Sequence, residues 1–379
     1  MVRSVIYFDH NATAPLCGVA RDAWLSACER FPANPASPHR LGARAEAALE
    51  GARQHAAEFL DCSPLDIVWT SGATEANNAL FHHASLDAQG EVWVSAIEHP
   101  SVLEAARMFC GGRVKCIPSN GDGVINVDWI TEHLREGRPS LIAVMAANNE
   151  TGVLQPWSDV LKLCREREIA FACDAAQWIG KLAAKGLGKC DFVTGCAHKF
   201  GGPIGIGFMK VPARFRPFLV GGGQEDARRA GTQNVPAVQA MMAAWQYREQ
   251  QISAGENSIR ERWRNRFLER VQKEITEFEV LGQKSLRLWN TVSGLMPELD
   301  DCRRRWVVRL DKLGFAVSTG SACASGKEKP SHVAMALGLS PDKSDRMLRF
   351  SGGWETSRED WEALGTAVIE ACKAEALTR

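Results

Sequence analysis

The chain has 379 residues, 45% of them hydrophobic, and its 45 basic side chains balance 45 acidic ones. That length and composition can bury a substantial core, divided into one large and one small domain or into two or three domain-sized units. The charge balance removes the electrostatic argument for nucleic acid or an anionic membrane, so a small molecule or a protein is the default partner.

The N-terminal "MVRSVIYFDHNATAPL" lacks the long apolar stretch of a secretory signal, and no apolar run approaches the about eighteen residues of a membrane span. The expectation is a soluble, cytoplasmic protein. From about residue 42 to 212, helix-period segments alternate with short apolar runs. "ARAEAALEGARQHAAEFL" puts Leu49, Ala52, Ala56 and Phe59 at helical spacing and predicts an amphipathic helix. "DIVWT", "EVWVSAI", "LIAVMAA", "IAFACDA", "CDFVTGC" and "GIGFMKV" predict buried strands of a largely parallel sheet covered on both faces. His82 and His83 are adjacent, point different ways on a helix, and suit a surface or capping role better than metal ligation.

Gly255 marks a boundary, after which "SIRERWRNRFLERVQKEI" predicts a charged helix with Ile259, Trp263, Phe267 and Val271 on one face. The polar, arginine-rich "PELDDCRRRWVV" (297 to 308) suits a solvated helix face, with Cys302 as the alternative, a second exposed thiol. The remainder mixes strands and helices. The predicted architecture is α/β: a large domain, 16–254, with a mostly parallel sheet, and a smaller α+β domain formed by 1–15 with 255–379. Twelve cysteines stand singly, without C-x-x-C or paired Cys/His spacing, which predicts reduced thiols, no metal site and no disulfide framework.

Ligands of open α/β sheets bind beyond the carboxyl ends of the strands, so the residues after each apolar run carry the chemistry. "SGATEANNAL" is a glycine turn opening a helix, whose free N–H groups and Thr74 hydroxyl suit a phosphate. Glu98-His99-Pro100 follows the next strand, where His99 is a helix cap or a catalytic group. Asn148, Asn149 and Glu150 follow "LIAVMAA". Asp174 ends an apolar strand with Gln177 three residues on, and a carboxylate there needs a cation or several donors, so a positive partner is expected. "DFVTGCAHKFGGPIG" sets Cys196, His198 and Lys199 at another strand end, before glycines that let the backbone approach a ligand closely.

Pyridoxal phosphate needs this set: a lysine for a Schiff base, a carboxylate for its pyridinium nitrogen and a phosphate cradle. A lysine at its reference pKa of about 10.4 is nearly all ammonium at neutral pH, so burial beside a cationic ring is required to free the amine. Nucleotide alternatives fail on motif, since no G-x-x-x-x-G-K-[ST] occurs and "GGPIGIG" lacks G-x-G-x-x-G spacing.

"YFDHNATAPL", "NPASPHRLG", "TSGATEANN", "EHPSV", "NNETG", "DAAQWIGK", "AHKFGGPIGIG", "GGGQEDARRAGTQN", "STGSACAS" and "LRFSGG" together, in order over nearly the whole chain, resemble the cysteine desulfurases. These belong to the class V aminotransferase branch of fold-type I pyridoxal-phosphate enzymes, and the cysteine segment is similar to the subgroup serving iron–sulfur cluster assembly and nitrogen fixation. The resemblance implies that Lys199 holds the cofactor, Asp174 pairs with the ring nitrogen, Gln177 bonds the ring hydroxyl, and His99 stacks on the ring and handles protons. It implies that Thr74, the Ala73 backbone, His198 and Thr232 hold the phosphate, Thr232 coming from the second subunit of a homodimer. Asn149 and Arg349 are implied to hold the substrate carboxylate; Arg349 on its own also reads as a surface strand residue, but a partly buried guanidinium usually has an anion to bind. Cys196 stands where the family usually has a serine, and a thiol is the weaker donor.

The stretch "STGSACASGKEKPSH", from Ser318 to His332, sets Cys323 among small residues without helical or strand periodicity. In the resembling family this cysteine takes sulfur from L-cysteine as a persulfide and alanine is released. An unperturbed thiol is only a few per cent thiolate at neutral pH, so a base or a nearby charge such as Lys327 or Lys329 assists, and the glycines and serines supply motion. A sulfur-acceptor protein is the implied partner, while the short C-terminus lacks most of the tail with which longer relatives dock a scaffold. A selenocysteine lyase, another class V transaminase or lyase with an incidental Cys323, and a non-catalytic scaffold are the alternatives.

Overall fold

In the computed structural model, residues 5–86, 90–299, 302–320 and 330–376 are described, apart from the side chains of 302–304 and 375–376. The chain runs β1 (Ile6–Tyr7), α1 (Gly18–Arg30), α2 (Arg40–Leu60), β2 (Ile67–Thr70), α3 (Ala73–Ser85), β3 (Val92–Ser95), α4 (Pro100–Cys110), β4 (Val114–Ile117), α5 (Val127–His133), β5 (Leu141–Ala143), α6 (Trp157–Glu166), β6 (Ala170–Asp174), β7 (Phe192–Cys196), β8 (Gly207–Lys210) and α7 (Val235–Ser253). All six apolar runs become strands of one seven-stranded sheet, in the order β2-β8-β7-β6-β5-β3-β4. Neighbours pair in parallel except β8, which runs antiparallel to both β2 and β7.

Burial on both faces explains why these strands read as continuous apolar runs. Trp69, Trp93, Phe171 and Val193 pack on one side with Leu49, Ala56 and Trp245. Val68, Val92, Ala172 and Phe192 pack on the other with Leu80, Phe81 and Val102 of α3 and α4. The edge strand β4 was not among the predicted strands. Its Lys115 and Cys116 are exposed, as the outer strand of a sheet permits, and that polarity hides it from a search for apolar runs.

The rest of the chain forms α8 (Glu256–Glu274), β9 (Glu279–Val280), β10 (Thr291–Leu295), α9 (Cys302–Lys312), β11 (Phe315–Ala316), β12 (Ser318–Thr319), α10 (His332–Ala336), α11 (Pro341–Asp345), β13 (Met347–Ser351) and α12 (Arg358–Ala376). An antiparallel sheet of order β12-β13-β10-β9 packs over a separate core that includes Phe267, Val292, Trp306, Leu310, Phe350 and Trp361. The N-terminal β1 pairs with β11, and Phe8 joins this second core.

Two expectations need correction. On α8, Phe267 and Val271 are buried, but Ile259 is 40% exposed while Arg264 is 3% exposed. Steps of four residues advance about 40° beyond a full helical turn, so the stripe from Val271 back to Ile259 rotates by about 120°, whereas Arg264 sits almost directly under Val271. In the 297–308 run, Trp306 is buried and its indole N–H donates to Pro297 O, so that segment is not wholly solvated. The side chain of Cys302 lies outside the described residues.

Candidate active site

The parallel strands β3, β5, β6 and β7 deliver their carboxyl ends to one edge of the sheet, and the predicted site residues follow them there. Asp174 is the last residue of β6. Its Oδ2 accepts from Asn77 Nδ2 at 3.0 Å and its Oδ1 from the Ala176 N–H at 2.9 Å. Both of these donors are neutral. Asn77, on the buried face of α3, is the organiser, donating also to Ser101 Oγ and accepting from Thr194 Oγ1.

His99 caps α4, with Nδ1 accepting from the Ser101 N–H at 3.1 Å and lying 2.8 Å from Ser101 Oγ. With Ser101 Oγ itself receiving from Asn77, the hydroxyl hydrogen turns to Nδ1, which puts the imidazole hydrogen on Nε2. The two sequence alternatives for His99 are thus compatible, because the cap uses one nitrogen and leaves the other. Burial holds the ring below its usual range, with Asp174 pulling upward and Lys199 and His332 pushing down. Beside it Glu98 is buried, accepts from the Met145 N–H at 2.6 Å, and is lifted well above the carboxylate range by burial and by Asp174.

Lys199 ends the 3-10 turn Ala197–Lys199 after β7, and its Nζ donates to Asn11 O and Ala12 O, each at 2.8 Å. Gln177 Nε2 donates to the same Asn11 carbonyl at 2.8 Å. The N-terminal segment therefore lies against both Lys199 and Gln177. Asn11 Nδ2 continues to Asn149 O at 3.2 Å and Thr291 Oγ1 at 2.9 Å.

At the start of α3, the Ala73 N–H points to Cys196, whose thiol burial pushes up to about 11, so it is a neutral S–H at physiological pH. Gly207 must be glycine here, because a Cβ on it would lie 2.7 Å from the Gly72 Cα and 2.5 Å from the Gly195 carbonyl. His198 joins the same rim, its Nδ1 3.2 Å from Thr13 Oγ1, and burial with Lys199 nearby lowers it to about 4. Thr74 is exposed in the first turn, beside Glu75, which pairs with Arg229 at 2.8 Å. Thr232 is exposed three residues beyond Arg229.

Arg349, on β13, is buried rather than a surface strand residue. It donates to Asn149 O at 2.9 Å and pairs with Asp9 at 2.6 Å, yet among the described residues its Nε has no partner, and neither has Asn149 Oδ1. Arg349 also reaches Gly320 O at 3.4 Å. On the far side of the cysteine segment, Ser331 Oγ donates to Glu150 Oε2 at 2.5 Å and His332 Nε2 lies 2.7 Å from Glu98 O. Cys323, Lys327 and Lys329 lie outside the described residues, but both flanks of their segment touch residues of the pocket.

The strand-end rule brings together Ala73, Thr74, His99, Asn149, Asp174, Gln177, Cys196, His198 and Lys199, and β13 adds Arg349. It missed Asn77, Lys181 and Asn11. Their parts depend on partners up to 340 positions away, as Asn11 on Ser351 and, at 170, Lys181 on Asn11, and no local pattern carries that.

Residues 6–364 match the family described as aminotransferase class-V. A curated relative, the cysteine desulfurase of Trichormus azollae, is 34% identical over 358 residues, covering 92% of this chain and 88% of its own. Among solved structures, the NifS-like protein of Rickettsia africae superposes with a TM-score of 0.87 at 28% identity, over 97% of this chain and 99% of its own. SspA in complex with cysteine superposes with a TM-score of 0.78 at 29% identity, over 91% and 98%.

Proposed function

We infer the site's chemistry from a plain premise: the chain belongs to the class V aminotransferase family, and its activity is that of a cysteine desulfurase. The cofactor is pyridoxal 5'-phosphate, the substrate L-cysteine, and the sulfur acceptor Cys323. The observation that carries this is one buried guanidinium edge. Among the described residues Arg349 Nε and Asn149 Oδ1 are both buried without partners, and Asn149 is tied through Asn11 to the carbonyl on which Lys199 rests. Buried polar groups are rarely left unpaired, so a carboxylate with an adjacent amine is the ligand chemistry they fit.

The donor set also suits the cofactor. Lys199 is the amine to hold it, Asp174 the carboxylate for a ring nitrogen, Gln177 the donor for a ring oxygen, and the first turn of α3 with Thr74, Cys196 and His198 the cradle for a phosphate. When bound, that cofactor supplies an electron sink that makes the substrate's carbon–sulfur bond breakable. Lys199 Nζ moves the proton at the substrate Cα, and His99 Nε2, its partner nitrogen fixed by the cap, is the second proton carrier. The Cys323 thiolate forms a bond to the substrate sulfur as the carbon–sulfur bond breaks. The carbon keeps the electron pair and takes a proton, so the products are alanine and a Cys323 persulfide.

Thr232 completes the phosphate site of a second copy in a homodimer. Its exposure, with Val220 80% exposed in the same segment, supports a covering partner. A sulfur-acceptor protein for cluster assembly or another thio-cofactor pathway, acting in the cytoplasm, completes the proposal. Among the described residues no helix is long and apolar enough to cross a membrane. The test is sulfide and alanine release from L-cysteine with added reductant, by the wild type and Cys323→Ala, each with its cofactor band verified. Equal release of both by the wild type and neither by the variant is expected. Wild-type release by Cys323→Ala overturns the persulfide step.

A further inference from the structure

Lys181 is a second lysine in the pocket, and the reaction above gives it no part. It lies four residues beyond Gln177 on the turn after β6 and is 3% exposed. Its Nζ donates to Asn11 Oδ1 at 2.9 Å and to Gln177 Oε1. Among the described residues it forms no ion pair with a carboxylate. Burial, reinforced by Lys199 and Arg349, holds the amine well below its usual range, against a smaller pull from Cys196. His10 on the N-terminal segment and His198 beside Lys199 also lie within its electrostatic reach.

Both hydrogen bonds that the amine donates end on amide oxygens, and an amide that turns its oxygen one way turns its N–H donors the other. That choice propagates. With Oδ1 turned to Lys181, Asn11 must direct Nδ2 to Asn149 O and Thr291 Oγ1, as it does. With Oε1 turned to Lys181, Gln177 must direct Nε2 to the opposite side, where one hydrogen meets Asn11 O. The second Nε2 hydrogen has no acceptor among the described residues. If Gln177 turned over, the pocket would offer a carbonyl oxygen at that point instead of a donor.

We propose that Lys181 is a positioning residue that fixes the amide polarity of Gln177 and Asn11, so that Gln177 presents an N–H to the ring oxygen of the cofactor. This rests on the pyridoxal phosphate reading above. A donor at the ring oxygen favours its unprotonated form and lowers the pH at which the bound cofactor's absorption band titrates. Loss of that donor moves the midpoint up.

Lys181→Met keeps the length of the side chain and removes the donors. Two quantities are measured, with pyridoxal phosphate as the probe: its equilibrium affinity for the cofactor-stripped protein, and the pH midpoint of the absorption band. Lys181→Met is expected to bind about tenfold more weakly, the worth of one buried hydrogen bond, and to titrate at higher pH. Because the effect passes through Gln177, the double variant with Gln177→Met should be no weaker than Gln177→Met alone. Wild-type affinity and midpoint in Lys181→Met, or additive losses in the double variant, overturn the proposal while leaving the cofactor reading intact. A wild type that binds no pyridoxal phosphate overturns both. Should Lys181→Met fail to fold, Gln177→Glu decides, since it keeps an acceptor toward Lys181 and puts a second oxygen where Nε2 was. An upward midpoint supports the proposal and an unchanged one overturns it.

Discussion

Two carboxyl groups share the edge of the sheet at Glu98 and Asp174, and their surroundings divide them. Asp174 receives Asn77 and a backbone N–H, whereas Glu98 is lifted well above the usual range by burial and then by Asp174. The unfolded chain releases the Glu98 proton near pH 4.3, the folded chain only at higher pH. Between those values the folded state holds one proton more, so this residue's contribution to stability is complete below about pH 4.3 and is lost as pH rises toward the folded pKa. His10 works with the opposite sign: burial lowers it to about 4, so the stability it contributes is present above about pH 6.5 and is lost as pH falls. Glu98→Gln keeps an acceptor for the Met145 N–H and cannot ionise. The melting temperature of the variant, relative to wild type, is expected to climb as pH rises from 5 toward the raised folded-state pKa of Glu98. A difference that stays constant as pH rises from 5 contradicts a Glu98 lifted above its usual range.

At the scale of elements, the segment between β8 and α7 shows where sequence reading stops. Its "GGGQ" looks like the flexible part, yet the left-handed backbone falls on Glu225, Asp226 and Ala227, with φ of 52°, 53° and 61°. Three such non-glycine residues cost roughly 1 kcal/mol or more each and persist only where neighbours fix them. The Glu225 carboxylate does the fixing, accepting from Arg53 NH1 at 2.9 Å, the Trp69 N–H at 3.1 Å and Gln233 Nε2 at 3.2 Å. Arg53 lies on the buried side of α2, where helical spacing alone invites an apolar residue. Arg53→Met leaves Glu225 buried without its cation and is expected to cost about 3 kcal/mol or more. Adding Glu225→Gln should recover part of that, as read from denaturant unfolding midpoints; a single variant within 1 kcal/mol of wild type would show the pair to be dispensable. The same division between local and distant signals runs through the fold. Buried strands such as β5 and β6 were legible because both faces need apolar side chains, and β4 was not, because its edge position tolerates Lys115. Asp174 and Lys199 were legible from where their strands end. Asn77 and Lys181 were not, since an asparagine inside a helix and a lysine in a turn acquire their parts only when distant elements arrive.

The pocket exists only when the large sheet and the smaller antiparallel sheet are both in place, and the N-terminal segment is what joins them. Asn11 is the joint. Its backbone N–H donates to Ser351 Oγ on β13, its Nδ2 to Thr291 Oγ1 on β10, its Oδ1 accepts from Asn290 and Lys181, and its carbonyl accepts from Gln177 and Lys199. Asn11→Ala spares the backbone bonds but removes the amide, leaving Lys181 and Thr291 each short of one buried partner. At roughly 1–3 kcal/mol for each stranded group, a loss of about 3 kcal/mol is expected in the cofactor-stripped protein. A second consequence separates a joint from an ordinary buried amide. Pyridoxal phosphate at 100 times its dissociation constant should stabilise the wild type by about 2.7 kcal/mol through mass action. In Asn11→Ala the same concentration must first restore the relative placement of Gln177, Lys199 and Arg349, so the cofactor-induced rise in melting temperature should be smaller than in the wild type. An unfolding midpoint lowered as expected, but with an undiminished response to cofactor, would mean that Asn11 stabilises the junction without shaping the pocket.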